Sequence, residues 1–276
     1  MNVAPKAPWQ YSGAPHTPFH LPNRSLPMAD QVDYEIVGDD FQAVNITLDP
    51  GEAVRAEPGA MMYLESGLHM ETTTGGGLMS GLKRMVGGES FFVTTFENRG
   101  SQRAKVGFSA SYPGKIIPVN LSEGVMFCQR DAYLCSAHGI EVSVAFTKRL
   151  GAGFFGGEGF VLQKLQGDGL AFIHAGGYVI ERQLAAGEEL RVDTGCIVAF
   201  QGTVDYDIQR IKGVKSMLFG GEGLFYAVLR GPGRIYIQTT PFSRFAARVM
   251  HAAGGGGKGQ VKRGGAGFLG DLLGGE

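Results

Sequence analysis

Three stretches decide the fold: LDPGEAVRAEPGAMMYLESG at 48–67, NLSEGVMFCQRDAYLCSAHG at 120–139 and LAAGEELRVDTGCIVAFQGT at 184–203. Each runs from a turn signal into a short apolar segment, through a second tight turn and into another apolar segment. Their starts are 72 and then 64 residues apart. A second element keeps nearly the same step. Gly-Gly-Glu stands at Gly87-Gly88-Glu89, Gly156-Gly157-Glu158 and Gly220-Gly221-Glu222, 69 and 64 residues apart, and leads each time into an apolar run: SFFVTTF, GFVLQKL and GLFYAVL. Two registers that agree define three related units, because self-similarity at a fixed spacing marks a repeated supersecondary module.

Outward from these stretches the pattern stays strand-like. YEIVG, FQAVNITL, AMMYLE, AKVGFSAS and KIIPVNL, then GVMFCQ, AYLCSA, IEVSVAF, LAFIHAGG and YVIERQL, then ELRVD, CIVAFQ, VDYDIQRI and GRIYIQT are short β-branched or aromatic runs between Gly, Pro, Asn and Asp. One such module is marginal alone, whereas three around a pseudo-threefold axis share an interior and cover one another's sheet edges. The expected fold is all-β, a β-sandwich or β-prism of three related modules with pseudo-threefold symmetry and one short C-terminal helix. That helix is placed at 241–250, where proline opens it and Phe242, Phe245, Ala246 and Val249 fall on one face. The organisation is a proline-rich extension at 1–32, a β domain at 33–250 with repeats at about 33–119, 120–183 and 184–240, and a glycine-rich tail at 251–276. The expected inward set is Val54, Met62, Leu64, Phe92, Val106 and Phe108 in the first module. In the second it is Phe127, Leu134, Val142, Val144, Leu162, Phe172 and Ile173, and in the third Leu190, Val192, Ile197, Val198, Tyr226, Val228, Ile235 and Ile237.

Composition narrows the function classes. The chain has 276 residues with 25 basic and 26 acidic side chains, which argues against a dedicated nucleic-acid binder. Charged residues are only 18% and glycine reaches 45 residues, so the exterior is sparsely charged and suited to self-association. Cys128, Cys135 and Cys196 form neither a disulfide framework nor a zinc pattern, which points to reducing cytoplasm. The first thirty residues carry six prolines and no continuous apolar run, so no secretion signal is read there.

The repeated GGE, together with PGEAVRAEPGAMMYLESG, AHGIEVSVAF, RLGAGFFGGEGFVLQKLQGDGLAFIHAGG and GVKSMLFGGEGLFYAVLRGPGRIYIQT from Gly213, resembles the AIM24 family over roughly 33–250. The resemblance implies a body similar to the subunit of the tryptophan-sensing RNA-binding attenuation protein, and for eukaryotic members a tie to mitochondrial inner-membrane organisation. It implies no particular reaction and does not carry RNA binding with it. The N-terminus lacks the arginine-rich character of a mitochondrial presequence, which favours a bacterial-type, cytoplasmic member.

Candidate chemistry is thin. The glycine-rich loops lack GxxxxGK[ST] and lead into strands, so a structural hairpin is preferred over an anion nest. Glu89, Glu158 and Glu222 read as turn carboxylates accepting backbone N–H groups. The histidines form no HExxH array; His138 and His174 read as locally hydrogen-bonded beside turns. Cys135 and His138 are three residues apart without an orienting carboxylate, so a buried cysteine is preferred over a nucleophile pair. The stronger signal is apolar residues at presumed loops: Leu78, Met79, Leu82 and Met85, then Phe154 and Phe155, then Met217, Leu218 and Phe219, rimmed by Lys83, Arg84, Lys148, Arg149 and Lys215. The chain therefore reads as a non-enzymatic, self-associating scaffold without a cofactor. Its partners are copies of itself and, through these hairpins, a membrane periphery or membrane protein. A small-molecule or anion-binding module is the alternative, and an enzyme of unknown reaction the third.

Overall fold

A computed structural model describes residues 29–57, 59–74, 92–148, 160–210 and 225–254. Their architecture is predominantly β, with several antiparallel sheets and one C-terminal helix. After β1 (Asp33–Val37) come β2 (Ala43–Leu48), β3 (Ala53–Ala56), β4 (Met61–Leu64), β5 (Leu68–Thr74), β6 (Phe92–Asn98) and β7 (Ala104–Ser109). Next are β8 (Gly114–Asn120), β9 (Met126–Gln129), β10 (Tyr133–Ala137), β11 (Glu141–Lys148), β12 (Phe160–Gln166) and β13 (Leu170–Gly176). The last set is β14 (Val179–Leu184), β15 (Glu189–Asp193), β16 (Ile197–Gln201), β17 (Asp205–Arg210), β18 (Phe225–Arg230) and β19 (Gly233–Gln238), followed by helix α1 (Phe242–Gly254).

The sheets run β1-β2-β7-β4, β5-β6-β3-β10-β13-β8, β11-β12-β9-β16-β19-β14 and β15-β18-β17. The two six-stranded sheets are each joined at the middle by one ladder. In the first, β3 meets β10 with Ala56 opposite Cys135; in the second, β9 meets β16 with Cys128 opposite Ala199. The strands form for ordinary reasons. In β2, Val44, Ile46 and Leu48 are buried while the residues between them are half-buried, the period of a strand with one face on a core. Pro118 is tolerated in β8 because that strand closes its sheet and pairs on one side only.

Two hydrophobic clusters lie between the sheets. The larger includes Phe96 and Phe108, edge to face at 5.2 Å, with Leu134, Phe172 and Val198; the smaller includes Phe160, Leu162, Phe200 and Ile235. Most of the expected inward set is found there or packed against it. Val228 is buried outside both clusters, the Phe92 side chain lies outside the described residues, and three members are exposed: Met62 at 57%, Leu64 at 38% and Val144 at 37%. Each stands beside a register shift in a strand at the edge of its sheet, between Met61 and Tyr63 in β4 and between Val144 and Phe146 in β11. An extra residue in one strand re-aims the side chains beyond it, so strict alternation assigns them to the wrong face. Tyr226, also expected inside, is half-buried, with its hydroxyl donating to Gln209 Oε1 at 2.9 Å.

The shift in β4 has counterparts in β10, between Tyr133 and Cys135, and in β16, between Ile197 and Ala199. Met62, Leu134 and Val198 hold the same place in the three aligned stretches. Leu134 and Val198 are 1% and 0% exposed because the β3/β10 and β9/β16 ladders cover them, whereas β4 pairs only with β7 among the described strands. Leu134→Ala should therefore lower unfolding free energy by about 2–5 kcal/mol, the usual cost of truncating a buried leucine. Met62→Ala in dilute protein should stay within about 0.5 kcal/mol. Urea titration checks both; equal losses would contradict this account of the two positions.

Candidate functional site

Apart from Lys148, which ends β11, the sequence-derived interaction residues fall outside the described residues. Leu78, Met79, Leu82, Lys83, Arg84 and Met85 lie in 75–91 with Gly87, Gly88 and Glu89. Arg149, Phe154 and Phe155 lie in 149–159 with Gly156, Gly157 and Glu158, and Lys215, Met217, Leu218 and Phe219 in 211–224 with Gly220, Gly221 and Glu222. What the structure fixes is the strand pair on which each segment is mounted. Thr74 faces Phe92, Lys148 faces Phe160, and Arg210 faces Phe225, so all three segments connect antiparallel neighbours.

The described residues that approach a site gather where α1 leaves the β body. Gln238, buried at the end of β19, accepts from the Gly176 N–H through Oε1 and donates through Nε2 to the Gly195 carbonyl, both at 2.8 Å. The Thr240 N–H donates to the Gly176 carbonyl at 3.1 Å. A Cβ on Gly176 would stand 2.1 Å from the Thr240 oxygen, so this close approach requires glycine. Asp193 caps the short turn at Thr194–Cys196 by accepting from the Gly195 N–H at 3.0 Å and pairs with Arg244 of α1 at 2.8 Å. Tyr112 lies between His174, edge-on at 4.6 Å, and Phe242 at 5.0 Å. Burial raises the Tyr112 hydroxyl well above its ordinary range. The space enclosed by Tyr112, Gln129, Asp131, Gly195, Gln238 and Phe242 is only about 10 Å³, about one water at most.

His174 was expected to hydrogen-bond beside its turn. Its ring is instead buried, and Nδ1 has no hydrogen-bond partner among the described residues. Burial lowers its pKa from 6.5 to about 4. Glu57, after β3, moves the other way, to about 7, because of lost hydration and then the charge of Asp131, against the opposing charge of Arg130. Glu57 keeps solvent contact, so water screens much of this effect. Cys135 is fully buried, its thiol well above the ordinary value, while His138 is exposed with Nε2 3.3 Å from Arg55 Nη2. The thiol and imidazole are in different environments and make no nucleophile pair. Burial pushes Cys128 up to about 12.

A second cavity of about 110 Å³ lies among Pro118, Asn120, Glu123, Met126, Gln201 and Arg234. It is smaller than the roughly 300 Å³ at which ordinary ligand pockets begin. Its guanidinium is already paired with Glu181 at 3.2 Å. No group of three or more His, Cys, Asp or Glu among the described residues could hold a metal. Apolar surface among the described residues includes the outer strand β4, with Met62, Tyr63 and Leu64 exposed, and one face of α1.

Multiple antiparallel sheets around shared cores, closed by one C-terminal helix, define a multi-sheet β class. The chain matches the family described as Mitochondrial biogenesis AIM24 over residues 34–240 and belongs to it. It is 28% identical over 220 residues to an uncharacterized protein of Streptococcus pyogenes serotype M6, covering 76% of this chain and 86% of that protein. It is also similar to the X-ray crystal structure of a Streptococcus pyogenes protein, with a TM-score of 0.66 and 26% identity over 80% of this chain and 100% of that one.

His174 gives a pH test of the packing beneath α1. A neutral native imidazole stabilises the fold fully above pH 6.5, and this contribution is lost as pH falls toward 4, because the unfolded chain binds the proton first. The gap is worth about 3 kcal/mol. Replacing His174 by Leu should flatten the fall in unfolding free energy between pH 6.5 and 4 by about that amount. An unchanged slope in denaturant titrations across that range would contradict the assignment.

Proposed function

We propose that this chain is a non-enzymatic scaffold that self-associates through an open sheet edge and reaches a membrane periphery or membrane partner through its three glycine-rich segments. It is built from three modules about a pseudo-threefold axis. The recurrence of strand pairing supports the three modules. β2 to β7, β8 to β13 and β14 to β19 each have first strand with sixth, sixth with third, fourth with fifth, and fifth with second. Read from pairing, the units start one strand earlier than the aligned sequence stretches do, with the second strand of one module meeting the third strand of the next. That junction is made twice, at β3/β10 and β9/β16.

The observation that carries the self-association reading is the third junction. β15 and β4 are the strands that would form it, yet β15 pairs only with β18 and β4 only with β7 among the described strands. An unpaired edge presents backbone donors and acceptors that another strand can satisfy. Along β4 the edge also carries exposed Met62, Tyr63 and Leu64. Met62 stands where Leu134 and Val198 find cover inside the chain, and a second subunit can supply that cover. A cytoplasmic location at the membrane periphery accords with this reading; among the described residues no helix is long and apolar enough to cross a membrane.

Light-scattering mass across protein concentration tests it. Wild type should form an oligomer that Met62→Lys/Leu64→Lys shifts toward monomer by about tenfold in dissociation constant, since edge lysines oppose strand pairing. Phe154→Ser/Phe155→Ser/Leu218→Ser reports on the glycine-rich segments separately. A wild-type monomer at every concentration would overturn the scaffold reading.

A further inference from the structure

Helix α1 has the apolar stripe expected of a helix packed on a core, but beyond Phe242 the described residues leave it open. Phe242, Phe245, Val249 and Met250 are between 40% and 72% exposed. The helix is held at its first turn: Pro241 is buried, Arg244 pairs with Asp193 and lies 3.6 Å from Cys196 Sγ, and Phe242 meets the Tyr112 ring. A thirteen-residue helix is marginal in water without burial of its apolar face. The open face therefore calls for an occupant.

Charge identifies the occupant. From Thr239 to Gly270 the chain has five basic residues, Arg244, Arg248, Lys258, Lys262 and Arg263, and no carboxylate. The preceding 238 residues are acidic on balance, with 20 basic against 24 acidic side chains. An apolar helical face whose own charged residues, Arg244 and Arg248, are both basic, in a C-terminal stretch with five basic against two acidic side chains, is the pattern that lies in a lipid–water interface and favours anionic headgroups.

We infer that α1 is a membrane-surface helix, seated by its exposed Phe245 and Val249 on an anionic lipid bilayer while Arg244 keeps its N-terminal turn on the β body. This rests on the membrane-periphery part of the proposed function but moves the contact from the glycine-rich segments to the helix. The single short face makes binding weak for one copy, and an oligomer multiplies it by presenting several helices to one surface.

The test is co-sedimentation of the full chain with phosphatidylglycerol/phosphatidylcholine vesicles and with phosphatidylcholine alone. Wild type should bind the anionic vesicles only, and Phe245→Ser/Val249→Ser should weaken binding about tenfold or more, as should raising the salt. Both substituted positions are solvent-exposed, and an unchanged thermal transition will show that the fold is kept. Retained binding by Phe154→Ser/Phe155→Ser/Leu218→Ser would complete the support. If that variant loses binding while the helix variant keeps it, the helix inference is overturned and the membrane reading stands. Failure of wild type to bind anionic vesicles overturns both. A helix variant that changes oligomer mass but not vesicle binding makes the face a subunit contact and also overturns the inference.

Discussion

The backbone ladders joining β3 to β10 and β9 to β16 are the interactions on which the rest of the molecule depends. Each turns two three-stranded half-sheets into one six-stranded sheet. A half-sheet alone exposes two edges and too little apolar face to be stable in water, so the ladders and the cores beneath them form together. They also decide which side chains are buried. Leu134 and Val198 sit at the same kind of register shift as Met62, yet they are enclosed and it is not. The difference lies in the neighbouring strand.

This makes the absence of pairing between β4 and β15 among the described strands the feature with most functional weight. The same junction is made twice, at β3/β10 and β9/β16, and on the proposed three-module reading β4 and β15 are the strands of a third. Charged side chains do little to protect that edge: β4 is Met61-Met62-Tyr63-Leu64. The α1 helix repeats this arrangement in another form, anchored by its first turn through Arg244 and Asp193 and open along its apolar stripe. Polar groups are satisfied at Gln238 and Asp193, while apolar side chains along β4 and α1 are left exposed among the described residues.

Much of the fold was legible in the sequence because the repeat carries its own control: three copies of one turn-strand-turn-strand pattern agree where any single copy is ambiguous. One strand was not read: β5, LHMETTT, lacks the apolar alternation of its partners because it is the outermost strand of its sheet. Met62, Leu64 and Val144 were misassigned because register shifts break the two-residue period, and sequence gives no sign of which strand becomes an edge. The helix was visible from its period, but its exposure was not, since an apolar stripe reads the same whether or not something covers it. The buried His174 ring gave no sequence signal distinguishing it from a turn-side histidine.

Hydrogen–deuterium exchange of the β4 amides as a function of protein concentration tests the central claim most directly. If the open edge is an assembly surface, exchange across Met61–Leu64 is fast in dilute protein and slows as concentration rises, while Leu134 and its neighbours in β10 stay protected throughout. Exchange in β4 that does not change with concentration would contradict the account.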